Sequence, residues 1–197
     1  MFYPQERDET ARKTWSASIA KLDVSKLVFI DESSTFLNIS RAYGWAHTSE
    51  RVFDTFPKGK KERVSLIAAI GLNVELAEHS LVHPDSVDKK AFKAFLSSIL
   101  LPKLEPGTIL VLDNWKVHHG EDIRELVESY GCELLYLPSY SPDFNPIEFL
   151  FSKVKAFIKM LRPMNMPELL QAFQDATKTV SLVDIKHTFR HCGYLVH

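Results

Sequence analysis

The sequence predicts an α/β domain built on a mixed sheet, in which three antiparallel strands are followed by two parallel strands and flanked by helices. Two observations predict this class. Short apolar runs typical of strands stand close together before Pro84, and after it they alternate with amphipathic segments of helical periodicity. The 197 residues are 45% hydrophobic, which suits one well-buried domain and is short for two.

The first part of the chain predicts a helix and then an antiparallel meander. Apolar residues at helical spacing indicate a surface helix over 5–22. Strands are predicted at apolar or β-branched runs, in chain order 27–31, 35–40, 65–70 and 74–81. We expect the first two to pair across a turn at 32–34 and the last two to form a hairpin around 71–73, with three strands of this meander in the sheet.

The second part predicts parallel strands joined by helical crossovers. Asp85 or Ser86 is expected to cap a helix that runs to about Leu100, and Gly131 is expected to close a later one. The remaining elements are predicted as strand 108–112, helix 121–130, strand 133–137, a proline-rich loop 138–146 and helices 146–161, 166–180 and 183–191. This order is that of ribonuclease H-like folds.

Charge and cysteine content bound the function only loosely. The net charge of −1 does not by itself indicate a nucleic-acid binder, because neutralising phosphates usually takes a basic excess. An acidic catalytic cluster lowers the total, however, and a local basic face can still bind. Cys132 and Cys192 have no partner pattern, which favours reduced thiols. No apolar run approaches the roughly 20 residues needed to cross a bilayer, and no secretory signal is evident, so we expect a cytoplasmic protein without membrane association.

Three acids stand out as a candidate metal site. Asp31 and Asp113 each end an apolar strand, where side chains of neighbouring strands converge, and Glu148 follows a proline loop near the start of a helix. Turn or cap residues at the two aspartates, and a helix-dipole glutamate, are the alternatives. Three carboxylates in one pocket repel one another, and hard oxygen ligands suit magnesium or manganese. A pair of such ions can promote in-line phosphoryl displacement.

Basic residues near these acids are candidates for contact with DNA. Lys58, Lys60, Lys61 and Arg63 form a basic turn before the third strand, and Lys155 and Lys159 share a helix face with Glu148. The alternative in both cases is a solvated surface.

Taken in order, these motifs resemble the catalytic domain of mariner-type transposases, especially the bacterial insertion-sequence branch. The matching stretches are 27–33, 43–46, 112–114 with His118, and 137–148. The resemblance implies a ribonuclease H-like domain that uses two Mg²⁺ or Mn²⁺ ions to cleave double-stranded DNA at transposon ends and join it to target DNA. Asp31, Asp113 and Glu148 match the family's catalytic, metal-binding acids. Four neighbours match residues expected to support them: Glu32, Asn114, His118 and Asn145.

The resemblance also implies partners and a domain layout. We expect a homodimer in the synaptic complex and, for the bacterial branch, association with the nucleoid. The whole of 1–197 is interpreted as a single catalytic domain with a helical lead-in (1–26) and C-terminal helices (162–197). Family members normally carry an N-terminal helix-turn-helix region, and we expect it to be absent here, since about 26 residues precede the first strand. A separate protein or reading frame would then supply it, unless this copy is truncated.

Two departures from the family pattern bear on activity. Residues 46–49 stand where members often show a proline and a glycine, and Trp115-Lys116 replaces commoner small residues. The leading hypothesis is a transposase catalytic core. The alternatives are a nuclease of the same fold that does not transfer strands and an inactive DNA-binding remnant of a truncated transposase.

Overall fold

A computed structural model describes residues 8–39, 45–51, 53 and 62–196. In this part of the chain, five strands form one sheet in the order β3-β2-β1-β4-β5. The strands are β1 (Leu27–Phe36), β2 (Arg63–Gly71), β3 (Ser80–Pro84), β4 (Ile109–Leu112) and β5 (Glu133–Tyr136). β1, β2 and β3 are antiparallel, whereas β4 and β5 run parallel to β1. The predicted mixed sheet is confirmed.

The predicted turn at 32–34 is wrong, because β1 continues unbroken to Phe36. Its pairing with β2 runs from Val28 opposite Gly71 to Phe36 opposite Arg63. Residues 32–35 are polar and three of the four have short side chains, which favours a turn when the sequence is considered alone. The ladder to β2 satisfies their backbone groups, so no separate strand forms over the described residues 35–39. Residue 40 lies outside the described residues.

Two further boundaries differ from prediction. The second arm of the hairpin enters the sheet only at β3, because Val74 makes an isolated bridge to Gly71 and the chain then leaves the sheet. The next helix, α2 (Lys89–Phe95), is capped by the Asp88 side chain and not by Asp85 or Ser86. A π-helical turn then carries it to Leu100, as predicted.

The other helices fall close to their predicted positions. They are α1 (Glu9–Ile19), α3 (Glu121–Ser129), α4 (Pro146–Leu161), α5 (Met166–Lys178) and α6 (Leu182–His191). Gly131 has a φ of 71°, the left-handed conformation expected of a residue that closes α3. No helix of the described residues is both long and apolar enough to cross a bilayer.

The helices cover the two faces of the sheet separately. α2 and α3 pack on one face, against side chains such as Ile30 and Leu112. α1, α4, α5 and α6 pack on the other, against Phe29 and Val111. The alternation of side chains along β1 and β4 therefore decides which residues face α4.

Candidate active site

The two aspartates come from neighbouring parallel strands. The β1–β4 ladder ends with Phe29 opposite Val111, and Asp31 and Asp113 each lie two residues further on. The register therefore sets the two acids level with each other. Because side chains alternate, both lie on the sheet face of Phe29 and Val111, which is the face that α4 covers.

Helix α4 supplies the third acid. Pro146 is its first residue and Glu148 lies in its first turn. Asn145 precedes the helix, but its side chain makes no capping bond to it. Instead, Asn145 Nδ2 donates a hydrogen bond to Asp31 Oδ2 at 2.8 Å. The start of α4 is thus tied to the end of the apolar part of β1.

Asp31 is buried among other negative charges. It is 7% exposed and accepts one backbone hydrogen bond, from the Glu32 N–H at 2.7 Å. Burial raises the pKa of Asp31 well above its usual value, and the charges of Glu148, Glu32 and Asp113 raise it further. The three predicted acids therefore lie close enough to repel one another.

A buried histidine offsets part of this charge. His118 is fully buried, with Nδ1 2.7 Å from Asp113 Oδ1 and Nε2 3.0 Å from Glu32 Oε1. Burial lowers the pKa of His118, but the bonds to these two carboxylates outweigh it and raise the pKa to about 10. Burial likewise raises the pKa of Asp113, and the bond from His118 reverses that to a net lowering. His118 is thus a cation whose two N–H groups each hold one carboxylate.

These residues line a cleft with two arms. One arm has a volume of about 380 Å³ and the other about 440 Å³, and Asp31, Asp113, Trp115 and Glu148 line both. The first arm runs along the proline loop, from Leu137 to Pro142. The second arm is lined by hydroxyl and basic side chains: Ser33, Ser34, Ser65, Ser86 and Arg63. The acids therefore stand at the junction of two grooves.

A sequence profile of one family, described as DDE superfamily endonuclease, matches residues 26–170. The match covers well over half of the chain and includes all three acids. The chain belongs to this family.

A curated relative supports the same assignment for this DDE endonuclease domain. This relative is the transposable element Tcb2 transposase of Caenorhabditis briggsae, to which the chain is 31% identical over 70 residues. The alignment covers 36% of this chain and 26% of the relative, so it concerns only part of each protein.

Solved structures of the Mos1 transposase share the fold. The strand transfer complex superimposes with a TM-score of 0.69 at 17% identity, covering 98% of this chain and 60% of the Mos1 chain. The mariner paired-end complex with Mn gives a TM-score of 0.73 at 16% identity, covering 96% and 61%. The predicted ribonuclease H-like fold and the resemblance to mariner-type transposases are confirmed. The bacterial branch stays a prediction, and this chain spans only about 60% of the Mos1 chain.

The structure brings most of the predicted supporting residues to the acids. Glu32, His118 and Asn145 each contact an acid or its direct partner, as described above. Asn114 differs, since its side chain contacts Ser139 Oγ at 3.4 Å and His119 Nε2 at 2.8 Å. Its contacts therefore tie the end of β4 to the proline loop and not to the carboxylates.

Only some of the predicted basic residues lie within the described part of the chain. Arg63 and Lys159 are exposed, Lys155 is half-buried, and Arg63 lines the second arm of the cleft. Lys58, Lys60 and Lys61 lie outside the described residues.

The donor chemistry of the DDE domain suits a hard cation. The acids offer carboxylate oxygens, and the Oδ1 of Asn145, which is 3% exposed, has no hydrogen-bond partner in the described part of the chain. As the side chains stand, no group of three His, Cys, Asp or Glu residues among those described could hold one metal ion together. Asn145 contacts one carboxylate oxygen of Asp31, and His118 contacts one carboxylate oxygen of Asp113. To share one metal ion, the carboxylates would therefore have to reorient from these positions.

Sequence reasoning missed two parts of the site. One is the set of serines on the second arm, which lie on three different segments of the chain and form no motif. The other is Arg12 of α1, which pairs with Asp143 from 131 positions away. A signal for Arg12 does exist, because it stands three residues before the buried Trp15 on the inner face of a helix.

Proposed function

We propose that this chain is the catalytic core of a DNA transposase, in which Asp31, Asp113 and Glu148 hold two divalent cations, Mg²⁺ or Mn²⁺. The observation that carries the proposal is that these three acids line both arms of the cleft, where burial raises the pKa of Asp31 and the charges of Glu148, Glu32 and Asp113 raise it further. Divalent cations relieve such repulsion, and carboxylates are their preferred protein ligands. Structures of Mos1 complexes that contain Mn or Mg agree with this choice of metal.

The residues of this chain would prepare the carboxylates for that role. When bound, a pair of such cations activates an attacking water or 3′-hydroxyl and stabilises the leaving oxygen in phosphoryl transfer. Asn145 orients Asp31 through its Nδ2 donor. His118 holds Asp113 and Glu32 in fixed positions, and its charge is retained at neutral pH because its pKa is raised. The site would thus be organised before substrate arrives.

We further propose that double-stranded DNA, as transposon ends and target, occupies the two grooves. Arg63 lines the second arm, and Lys155 and Lys159 follow Glu148 along α4, so all three could neutralise phosphates near the acids. Lys58, Lys60 and Lys61 are proposed for the same role. The Mos1 structures of paired transposon ends favour a homodimer in the synaptic complex. A helix-turn-helix protein or reading frame would supply recognition of the transposon ends.

The test is metal-dependent nicking of supercoiled plasmid by the purified chain, followed by strand transfer of a labelled transposon end. Asp113→Asn keeps the shape of the side chain and removes its charge. The matched control is Asp175→Asn on α5, which changes an exposed carboxylate that contacts Gln171 and Lys178.

We expect nicking by the wild type and the control with Mg²⁺ or Mn²⁺, and a loss of at least about a hundredfold in Asp113→Asn. Nicking without strand transfer would identify a nuclease of the same fold. Equal nicking by the wild type and Asp113→Asn would refute the proposed catalytic site. No nicking by either would also refute it and leave the non-catalytic remnant.

A further inference from the structure

The short turn that delivers Asn145 and Glu148 is connected internally by backbone hydrogen bonds. The Phe144 N–H donates to Ser141 O at 3.0 Å, and the Asn145 N–H donates to Pro142 O at 3.0 Å. The Glu148 N–H then donates to Asn145 O at 3.3 Å as α4 begins. Any displacement of this turn therefore moves Asn145 and Glu148 together.

The side chain of Arg12 on α1 binds two residues of this turn. Its Nη1 lies 3.0 Å from Asp143 Oδ1, and its Nη2 lies 2.6 Å from Asp143 Oδ2, which is a two-pronged ion pair. The guanidinium also stacks over the Phe144 ring, 4.0 Å from its centroid. Arg12 is only 7% exposed, and Trp15 on the same helix face is buried in the core, so α1 is fixed to the domain.

Tyr194 holds the same turn from the other end of the chain. Its hydroxyl donates a 2.7 Å hydrogen bond to the carbonyl oxygen of Phe144. Its ring packs edge-on to Phe29 at 5.1 Å, two residues before Asp31 on β1. Tyr194 thus connects the strand that bears one acid to the turn that precedes another.

We propose that Arg12 and Tyr194 are positioning residues for the active site, which fix the turn 141–145 and through it the placement of Asn145 and Glu148 against Asp31. Both lie outside residues 26–170, the range that the family profile matches. The segments before β1 and after α6 are then parts of the catalytic scaffold of this chain. The inference rests on the proposed function, since it assigns these residues to the same site.

An ordinary ion pair that only docks α1 on the domain is the competing explanation. It predicts that the loss of Arg12 lowers the stability of the fold but leaves the turn and the acids of the folded protein unchanged. The positioning role predicts a local effect on residues 141–148 and on metal binding. The two explanations therefore differ in measurements made on folded protein.

Four variants of the full chain test this role, with one control. Arg12→Ala removes the contacts with Asp143 and Phe144. Arg12→Lys keeps the positive charge but cannot form the bidentate ion pair. Asp143→Asn breaks the ion pair from the exposed side, and Tyr194→Phe removes one hydrogen bond. Lys13→Ala, an exposed basic residue on α1, is the matched control.

The first measurement is hydrogen exchange of the backbone amides of 141–148, followed by mass spectrometry in the absence of metal. We expect exchange to be on the order of tenfold faster in Arg12→Ala and Asp143→Asn than in Lys13→Ala, with β4 unchanged. The second is the binding of Mn²⁺ alone, which we expect to weaken about tenfold in the same variants, because changes to groups that orient metal ligands typically cost 10- to 100-fold.

The third measurement is the rate of plasmid nicking at saturating metal. We expect kcat to fall about tenfold or more in Arg12→Ala, with KM for DNA unchanged and partial recovery in Arg12→Lys. Tyr194→Phe should change each quantity in the same direction by less. Unchanged exchange of 141–148 and unchanged Mn²⁺ affinity in both Arg12→Ala and Asp143→Asn would overturn the inference. If the wild type does not nick DNA, the proposed function fails, while exchange and Mn²⁺ binding still decide the positioning role.

Discussion

Replacing His118 with leucine removes the cation that holds two of the site's carboxylates. Leucine has a similar volume and can pack against the Phe92 ring, which lies 4.6 Å from the imidazole. It cannot donate to Glu32 or to Asp113. The variant therefore leaves both carboxylates without their charged partner, and the structure shows which of the two losses matters more.

The larger loss is at Glu32. Its side chain is 11% exposed, so water cannot replace the missing donor, whereas the side chain of Asp113 is 45% exposed and can be hydrated. Removing one member of a buried ion pair costs about 3–5 kcal/mol, and an exposed pair contributes little. We expect His118→Leu to lower the free energy of unfolding by about 3 kcal/mol at pH 6. For a chain of this size that corresponds to a fall in Tm of roughly 6–12 °C.

The effect should depend on pH in a defined direction. His118 has a pKa of about 10 in the folded chain, against about 6.5 for an unfolded histidine. Its stabilising contribution is thus fully present below pH 6.5 and is lost as the pH rises through 10. The difference between wild type and His118→Leu should be largest at pH 6 and much smaller at pH 10.

Urea unfolding of wild type and variant at pH 6, 8 and 10 measures this difference. The double variant Glu32→Gln/His118→Leu is the control, because it also removes the stranded charge and should recover more than half of the loss. A difference that stays constant from pH 6 to pH 10 would refute the reasoning. So would a ring proton of His118 that titrates near pH 6.5 in NMR spectra.

Two further substitutions probe the acids directly. Asp31→Asn removes a buried carboxyl group whose pKa is raised by burial and by Glu148. We therefore expect the free energy of unfolding of the metal-free protein in urea to rise by on the order of 1 kcal/mol. Mn²⁺ should no longer raise the Tm of this variant. A lower urea midpoint without metal would contradict this. Asn145→Ala removes the donor to Asp31, and plasmid nicking should fall roughly 10- to 100-fold. A nicking rate within about twofold of the wild type would show that Asn145 does not orient Asp31.

The strands that consist of apolar runs are predicted well from the sequence. Strand ends whose extent depends on pairing with a neighbouring strand are predicted poorly. The end of β1 is the clearest case. Ser33 and Thr35 are both buried and pair with Leu66 and Val64, yet their hydroxyl side chains also suit a turn. Only the presence of β2 beside them settles the choice, and nothing local in the sequence encodes that neighbour.

The candidate site shows the same division. Asp31 and Asp113 are found from the sequence because each follows an apolar strand, and parallel register then sets them level. Asn145 is also found, but its bond to Asp31 is not, because an asparagine before a helix is expected to cap it. The grip of Arg12 on Asp143 joins residues 131 positions apart and depends on how α1 docks.

The arrangement of partners makes the charge of the site uneven. His118 compensates Asp113 and Glu32 on one side, whereas Asp31 receives only neutral donors, from Asn145 and a backbone N–H. In the described part of the chain, no cationic side chain pairs with Glu148. Negative charge without a cationic partner is therefore concentrated between Asp31 on β1 and Glu148 at the start of α4. Since a fixed cation there would compete with a metal ion, the uneven distribution leaves the attraction for a divalent cation greatest between β1 and α4.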